Sequence, residues 1–396
     1  MPGTHALLSA SGAKRWINCP PSARQEQRVP ESPSPYAAEG TLAHALGELK
    51  LQRLTGEIPE DLFTRTRADL LAHEYAAPAM DDYTDDYCDF VAERLSALQT
   101  AGQSPALYIE QRLDFSRWVP EGFGTGDAVI AADGEITIID LKYGKGVPVD
   151  ARENPQLRLY ALGALESLGC LYDDITSVTT VIYQPRLDSV TEETLSVQEL
   201  EAWAAEVVVP AAKLAFEGLG DFQAGDHCRF CRVRAICRAR AEANLALAQE
   251  EFADPALLTN EEIAGILQKA AELKAWADDV SSYALDQAVN HKARIPGWKL
   301  VEGRSNRAYT DATAVGEKLR GAGYAWNVIY KPAEVYGITE LEKKLGKKTF
   351  TALLGELVHK PAGKPVLVPQ TDKRAEIKSL ETAQQEFAAP IENTKE

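Results

Sequence analysis

Residues 124–144, GTGDAVIAADGEITIIDLKYG, decide how this chain folds. Asp133-Gly134 lies between two apolar runs, a strong signal for a tight β-hairpin turn. With a two-residue turn, Ala132 faces Glu135, and counting outward sets Asp127 opposite Asp140. Opposed residues of an antiparallel pair share a face, with Cβ atoms roughly 5 Å apart. Lys142, two residues beyond Asp140, joins that face with Val129, Ala131, Ile136 and Ile138. The reverse face carries Ala128, Ile130, Thr137 and Ile139, so the hairpin is apolar on both sides and belongs inside the protein.

Opposed carboxylates on a buried face repel each other and are costly to strip of water. A divalent cation between them would remove both costs, and hard oxygen ligands suit Mg2+ or Mn2+. The competing reading puts both Asp residues at solvated strand ends; a bulge or a longer turn would also break the register.

Outward from the hairpin, ALYIEQRLDF (106–115) and SVTTVIYQP (177–185) read as further strands. Between the hairpin and the last strand lies a helix that Asn154 can cap and Pro155 can begin. Its apolar residues Leu157, Tyr160, Ala161, Ala164 and Leu168 recur at helical spacing. Ser196 and Glu199 match a capping box for another helix, which Pro210 should kink or end. Residues 36–99 read as mainly helical, and residues 20–35, rich in Pro, Ser and Glu, as an extended surface segment. Strands interleaved with helices make the middle α/β.

The chain has 396 residues, 45% apolar and 26% charged, which suits a soluble protein of two domains or one domain with an appendage. No apolar run approaches the roughly 18 residues of a membrane span, and MPGTHALLSASGAKRW lacks the apolar centre of a signal peptide. A cytoplasmic location is therefore expected. The net charge of −17 is unevenly spread: residues 290–378 hold 17 Lys/Arg and 9 Asp/Glu, a balance of +8. That segment has the electrostatic footprint of a polyanion binder. Lys299, Arg304 and Arg307 beside Trp298 and Tyr309 suit single-stranded DNA. A second basic spot is Arg229, Arg232, Arg234, Arg238 and Arg240.

The basic spot surrounds Cys228, Cys231 and Cys237, and such crowding of cysteines suggests metal ligation rather than disulfides. Cys88 and Cys170 fall in helical patterns and read as buried thiols. His227 reads as a surface histidine, with ligation in place of a cysteine as the alternative.

Asp127 followed by Asp140-Leu141-Lys142 resembles the PD-(D/E)XK nuclease superfamily. GTGD in place of a Pro before the first Asp resembles its RecB-like branch. GTLAHALGE around His44, Glu110 in ALYIEQRL, and Gln156 with Tyr160 in PQLRLYALG resemble further motifs of that branch. The resemblance covers roughly residues 10–240. It implies a restriction-endonuclease-like core, a central mixed sheet flanked by helices, that hydrolyses phosphodiester bonds of DNA, as an exonuclease on ends or single strands. His44, Asp127, Asp140 and the Leu141 carbonyl would hold Mg2+ or Mn2+. Lys142 would orient the attacking water or stabilise charge, Gln156 and Tyr160 would position DNA, and Glu110 would be an auxiliary acid.

One cysteine near the N-terminus and three after the core resemble the iron–sulfur members of that branch, including the AddB nuclease domain and CRISPR-adaptation nucleases. This implies a [4Fe–4S] cluster on Cys19, Cys228, Cys231 and Cys237; the rival is a structural zinc site on the same four cysteines. The tail from about residue 250 resembles a phage and prophage family of such nucleases, which implies roles in recombination, repair or replication, with a helicase or annealing protein as a partner. The organisation expected is a nuclease domain over 1–245, a basic α+β appendage over 250–375 and a poorly ordered tail over 376–396. The function from a different class is a non-catalytic DNA-binding or scaffolding protein of the same fold.

Overall fold

The computed structural model describes residues 6–30, 35–250, 260–300 and 346–354, with scattered positions beyond 316. Five strands form one mixed sheet in chain order: β1 (Ala106–Asp114), β2 (Phe123–Ala132), β3 (Glu135–Leu141), β4 (Ser177–Gln184) and β5 (Ser189–Ser196). Gly134 takes φ +87° in the turn between β2 and β3, which costs a glycine no Cβ clash. Pairing runs from Ala132↔Glu135 to Ala128↔Ile139, so one step further out Asp127 stands level with Asp140. The two-residue turn is therefore present, with the expected register.

Among the described residues five α-helices precede the sheet: α1 (Ala13–Asn18), α2 (Ser22–Glu26), α3 (Pro35–Thr55), α4 (Glu60–Leu71) and α5 (Met80–Thr100). β3 and β4 run parallel and so need a crossover, which α6 (Pro155–Leu168) supplies. The Asn154 side chain accepts from the amides of Gln156 and Leu157, and Pro155 opens the first turn. Beyond β5 come α7 (Val197–Trp203), begun by the Ser196–Glu199 capping box, and α8 (Val209–Glu217). The disturbance expected at Pro210 is a widened π turn, Ala204–Val208. Pro210 has no N–H to return to the preceding turn.

Both faces of the hairpin are covered. Val129, Ala131, Ile136 and Ile138 pack with Leu157, Ala161 and Ala164 of α6 and with Leu8, Ala13 and Trp16 from the N-terminal segment. Ala128, Ile130, Ile139 and Leu141 pack with Leu51 of α3 and Tyr87 and Val91 of α5.

Three expectations are corrected, and one strand not read from the sequence is added. Within residues 20–35 the chain forms α2, with Ser22, Ala23 and Glu26 buried; Pro20 and Pro21 lead into the helix because their fixed φ suits a first turn. β5, not read as a strand, forms an edge of the sheet where only one face needs apolar residues. Cys170 is exposed in a 3-10 turn just past α6, while Cys88 is half-buried. The basic spot is partly spent on internal pairing with α10 (Asn260–Asn290), which follows α9 (Arg238–Glu250). Arg240, 1% exposed, reaches Glu272 at 2.7 Å and Asp279 at 2.6 Å, and Arg234 reaches Asp279 at 2.8 Å.

In the C-terminal part, Gly297–Leu300 are described and form no strand. Among the described residues no helix is long and apolar enough to cross a membrane.

α6 lies close against β1: a Cβ on Gly163 would come within 2.9 Å of Leu113 Cβ and 3.1 Å of its carbonyl carbon. Ala ordinarily stabilises a helix interior by about 1 kcal/mol over Gly. Here overpacking should win, and Gly163→Ala should cost about 1–3 kcal/mol in a denaturant titration. A more stable variant would show that α6 is not held this tightly.

Candidate functional site

Three adjacent strands each bring one carboxylate to the same level of the sheet: Glu110 on β1, Asp127 on β2 and Asp140 on β3. The β1–β2 ladder has Ile109↔Ala128 and Gln111↔Gly126, so Glu110 stands level with Asp127. Glu110 itself interrupts that ladder with φ +46°. A non-glycine residue there costs on the order of 1 kcal/mol, a strain of the kind that gathers at functional sites.

His44, from the middle of α3, sets Nδ1 3.1 Å from Asp127 Oδ1. Ligand atoms of His44, Glu110 and Asp127 all lie within 4.8 Å of one another, which no other His, Cys, Asp and Glu group among the described residues does. The other Asp127 oxygen accepts the Leu141 amide at 2.7 Å. Leu141, expected to offer its carbonyl, is thus held to the site through its N–H.

Asp140, 2% exposed, faces the other way along the site. Its Oδ1 accepts from Gln156 Nε2 at 3.1 Å. Its Oδ2 pairs with the Lys142 ammonium, Nζ at 2.7 Å. Lys142 Nζ donates to Gln156 Oε1 at 3.3 Å, and Gln156 Nε2 reaches the Tyr160 hydroxyl at 3.2 Å. Gln156 and Tyr160, one turn apart on α6, therefore meet the hairpin as one network. The Tyr160 ring lies over Gly124, where a Cβ would come within 2.5 Å of ring carbon Cε1. The first Gly of GTGD thus makes room for the Tyr160 ring.

Charge separates the groups. Burial would raise Asp127, but His44, by charge and hydrogen bond, together with Lys142 and the Leu141 amide, holds it below the usual carboxylate range. Burial raises Asp140, and the Asp127 charge adds to the rise against the pull of Lys142. Burial, with the charge of Asp127, pushes Glu110 up to about 7. Burial would lower His44, but Asp127, with a contribution from Asp140, outweighs it and carries the imidazole to about 9. Burial likewise opposes the charge on Lys142, and Asp140 and Asp127 overcome it and raise its pKa. An imidazole and two carboxylates with ligand atoms within 4.8 Å of one another form a set that fits a hard divalent cation. In this set Glu110 is a nearer companion of His44 and Asp127 than the auxiliary role read from sequence.

The cysteines of the expected set lie on two segments, the end of α1 and residues 228–237 beyond α8. Cys19 ends α1, Cys228 lies in a 3-10 turn, Asp226–Phe230, and Cys231 ends that turn. These three are buried, and Cys237 is half-buried. α1 packs against the turn. Glu26 ties the two segments: Oε2 accepts Arg15 Nε and Oε1 accepts the Arg232 amide, both at 2.8 Å. The His227 ring faces Cys19 and bonds the Gln223 carbonyl through Nε2 at 2.9 Å, so it is less peripheral than a surface histidine. Burial pushes the Cys231 thiol up to about 12, so ligation there must displace a proton. No three of these sulfur atoms lie within 4.8 Å of one another, so the structure does not bring the four thiols together as a ready metal site.

Of the residues expected to touch DNA, Lys299 is exposed, beside Trp298 at 83% exposure. Arg304, Arg307 and Tyr309 lie outside the described residues.

The chain belongs to the family described as "Protein of unknown function (DUF2800)", whose pattern matches residues 5–375. Among solved structures it is similar to one titled "Crystal structure of SSO0001", at 14% identity over 58% of this chain and 85% of that one, with a TM-score of 0.24.

Glu110 makes the site pH-dependent. Its folded pKa of about 7 exceeds the ordinary 4.5, so its ionisation lowers stability as pH rises through that interval. In chelator, Glu110→Gln should be more stable than the parent at pH 8, and the gain should vanish below about pH 4, where both forms are neutral. Thermal melts across pH would show it; a constant difference would mean Glu110 is not held in this environment.

Proposed function

We propose that this chain is a metal-dependent DNA nuclease with a PD-(D/E)XK, RecB-like core, acting as an exonuclease on ends or single strands. The observation that carries the reading is the half-buried group of His44, Glu110 and Asp127, with the buried Asp140 and its Lys142 ion pair beside it on the next strand. Buried charge of one sign is retained at a cost, and phosphodiester hydrolysis is a chemistry that needs it. His44, Asp127 and Glu110, with Asp140 beside them, would hold Mg2+ or Mn2+. When bound, such a cation lowers the pKa of a water and stabilises charge building on the phosphate.

The protein's own groups do the rest. Lys142, kept charged by Asp140 and Asp127, offers an ammonium to the phosphate oxygens or to the attacking water. It is not the base, since it must lose a proton first. Gln156 fixes Lys142 and Asp140 relative to each other, and Tyr160 supports Gln156. Cys19, Cys228, Cys231 and Cys237 would hold a [4Fe–4S] cluster, with zinc as the alternative occupant. The exposed Lys299 and Trp298 suit a contact to the strand outside the site.

End-labelled and circular DNA incubated with Mg2+ or Mn2+ should test the reaction. Asp127→Ala, Asp140→Ala and Lys142→Ala should each abolish nucleotide release in folded protein. Gln156→Ala, which acts through its neighbours, should cost roughly ten- to a hundred-fold. Gly124→Ala should also lower the rate by displacing the Tyr160 ring. Parental activity in Asp140→Ala would sink the assignment, and DNA binding without turnover in the parent would leave a non-catalytic binding protein.

Anaerobically purified protein should be brown, with about four iron and four sulfide per chain. Cys19→Ser should bleach it as fully as Cys231→Ser, and Cys170→Ser should not. One zinc and no iron would give the site to the rival occupant.

A further inference from the structure

Gln184, the last residue of β4, is 1% exposed and commits its whole amide to one loop. Its Oε1 accepts the Val149 amide at 2.7 Å, and its Nε2 donates to the carbonyls of Val147 at 3.2 Å and Gly144 at 3.5 Å. The β3–β4 ladder ends at Leu141↔Tyr183, and the Lys142 amide still donates to the Tyr183 carbonyl at 2.9 Å. One step further sets Gln184 level with Lys142, on neighbouring strands about 4.8 Å apart. The loop 144–149, GKGVPV, is therefore pinned beside the lysine of the carboxylate site. Pro148 removes one more freedom from it by fixing φ.

What this clamp holds is bare. Gly144, Lys145 and Gly146 are exposed. A Cβ on either glycine would meet nothing within 4 Å, and neither glycine takes a positive φ. Packing and backbone conformation therefore do not require glycine at these two positions. Among the described residues Lys145 has no acidic partner, and the amides of Gly144, Lys145 and Gly146 reach no acceptor. Lys145 follows Lys142 by three residues, a reach of at most about 11 Å, and no acid stands between Lys142 and Val149. A free ammonium, unused N–H groups and a backbone without side chains in the way suit a phosphate, whose oxygens accept from both kinds of donor. Because the clamp fixes the loop beforehand, little freedom is lost when a ligand arrives.

We propose that the loop 144–149 receives a backbone phosphate of the substrate strand next to the one at Lys142, through Lys145 Nζ and the bare amides around it. The assignment rests on the nuclease reading; free phosphate shares the chemistry and is the other source. Gln184 is the positioning residue of this contact. Full-length protein in EDTA is titrated with a labelled single-stranded oligonucleotide over a salt series and, separately, with inorganic phosphate. Lys145→Ala should weaken oligonucleotide binding roughly ten-fold, the worth of one hydrogen bond to a charged group. It should also flatten the log–log salt slope by about 0.7, the share of one phosphate contact on a single strand. Lys145→Arg should restore both. Gly146→Ala keeps the charge and should weaken binding at an unchanged slope, because its methyl holds the phosphate off the backbone. All three variants should melt with the parent, since these positions touch nothing in the fold.

A flattened slope in Lys145→Ala supports the loop even if the parent hydrolyses no DNA, an outcome that sinks only the nuclease reading. Hydrolysis by the parent, with slope and affinity unchanged in Lys145→Ala and Gly146→Ala, sinks only the loop, so the two readings fail separately. Weakening confined to inorganic phosphate, or a parent that binds no oligonucleotide, would overturn the assignment to a strand.

Discussion

Three carboxylates placed level on adjacent strands, under a sheet that is apolar on both faces, are the constraint around which this protein is arranged. Like charges about 5 Å apart repel by on the order of 3 kcal/mol at an effective dielectric near 20. Glu110, Asp127 and Asp140 therefore cannot all be ionised without neighbours of opposite sign. In the free protein the neighbours are the protonated His44 and Lys142, whose two positive charges fall one short. The deficit is relieved by protonating a carboxyl: burial and the Asp127 charge push Glu110 up to about 7, and Asp140 is raised as well. Under the proposed function a divalent cation and Lys142 together carry three positive charges, and His44 is freed to serve as a neutral donor. The same residues thus balance their charge in two ways, one suited to the empty site and one to the occupied site.

Everything else positions these groups. The tight turn at Gly134 sets Asp127 against Asp140. α6 must cross from β3 to β4, and by crossing it lays Gln156 and Tyr160 beside the end of β3. Small residues let it come close enough: Gly163 against the backbone of β1, and Gly124 beneath the Tyr160 ring. α3 covers the opposite face with Leu51 and still delivers His44 to the carboxylates. Packing and site geometry therefore share residues, and a change in the helix that fills the core moves the network that holds Lys142.

How much of this can be read in the sequence follows from how local each determinant is. The hairpin, the Asn154 cap and the Ser196–Glu199 box are set by residues a few positions apart, and all three are present. Placing Glu110 level with Asp127 depends on the β1–β2 register, which the residues between Asp114 and Phe123 do not set as a two-residue turn does. Its φ of +46° has no signal at all, because nothing in a glutamate announces a left-handed backbone. β5 is hidden by its polar residues, which an edge strand with one solvated face tolerates. The pairing of Arg234 and Arg240 with α10 spans 32 to 45 residues, and a run of arginines looks solvated until its partners are known. Cys170 departs from its helical pattern by a few residues: α6 ends at Leu168, so the thiol falls on the turn beyond it.

The cysteines and the carboxylates lie apart, yet one element touches both neighbourhoods. Leu8, Ala13 and Trp16, which precede Cys19, share a core with Leu157, Tyr160, Ala161 and Ala164 of α6. Arg24 holds the Phe216 carbonyl at the end of α8, and Glu26 holds Arg232 between the crowded cysteines. Those contacts press the N-terminal segment onto the outer side of α6, while the hairpin presses on its inner side. These ties join positions about two hundred residues apart in sequence. A thiolate-held group drawing on Cys19 and the later three would add a further tie at the same junction. Its contribution to the carboxylate site would be indirect: it would keep the outer face of α6 covered, and so keep Gln156 and Tyr160 where Asp140 and Lys142 need them.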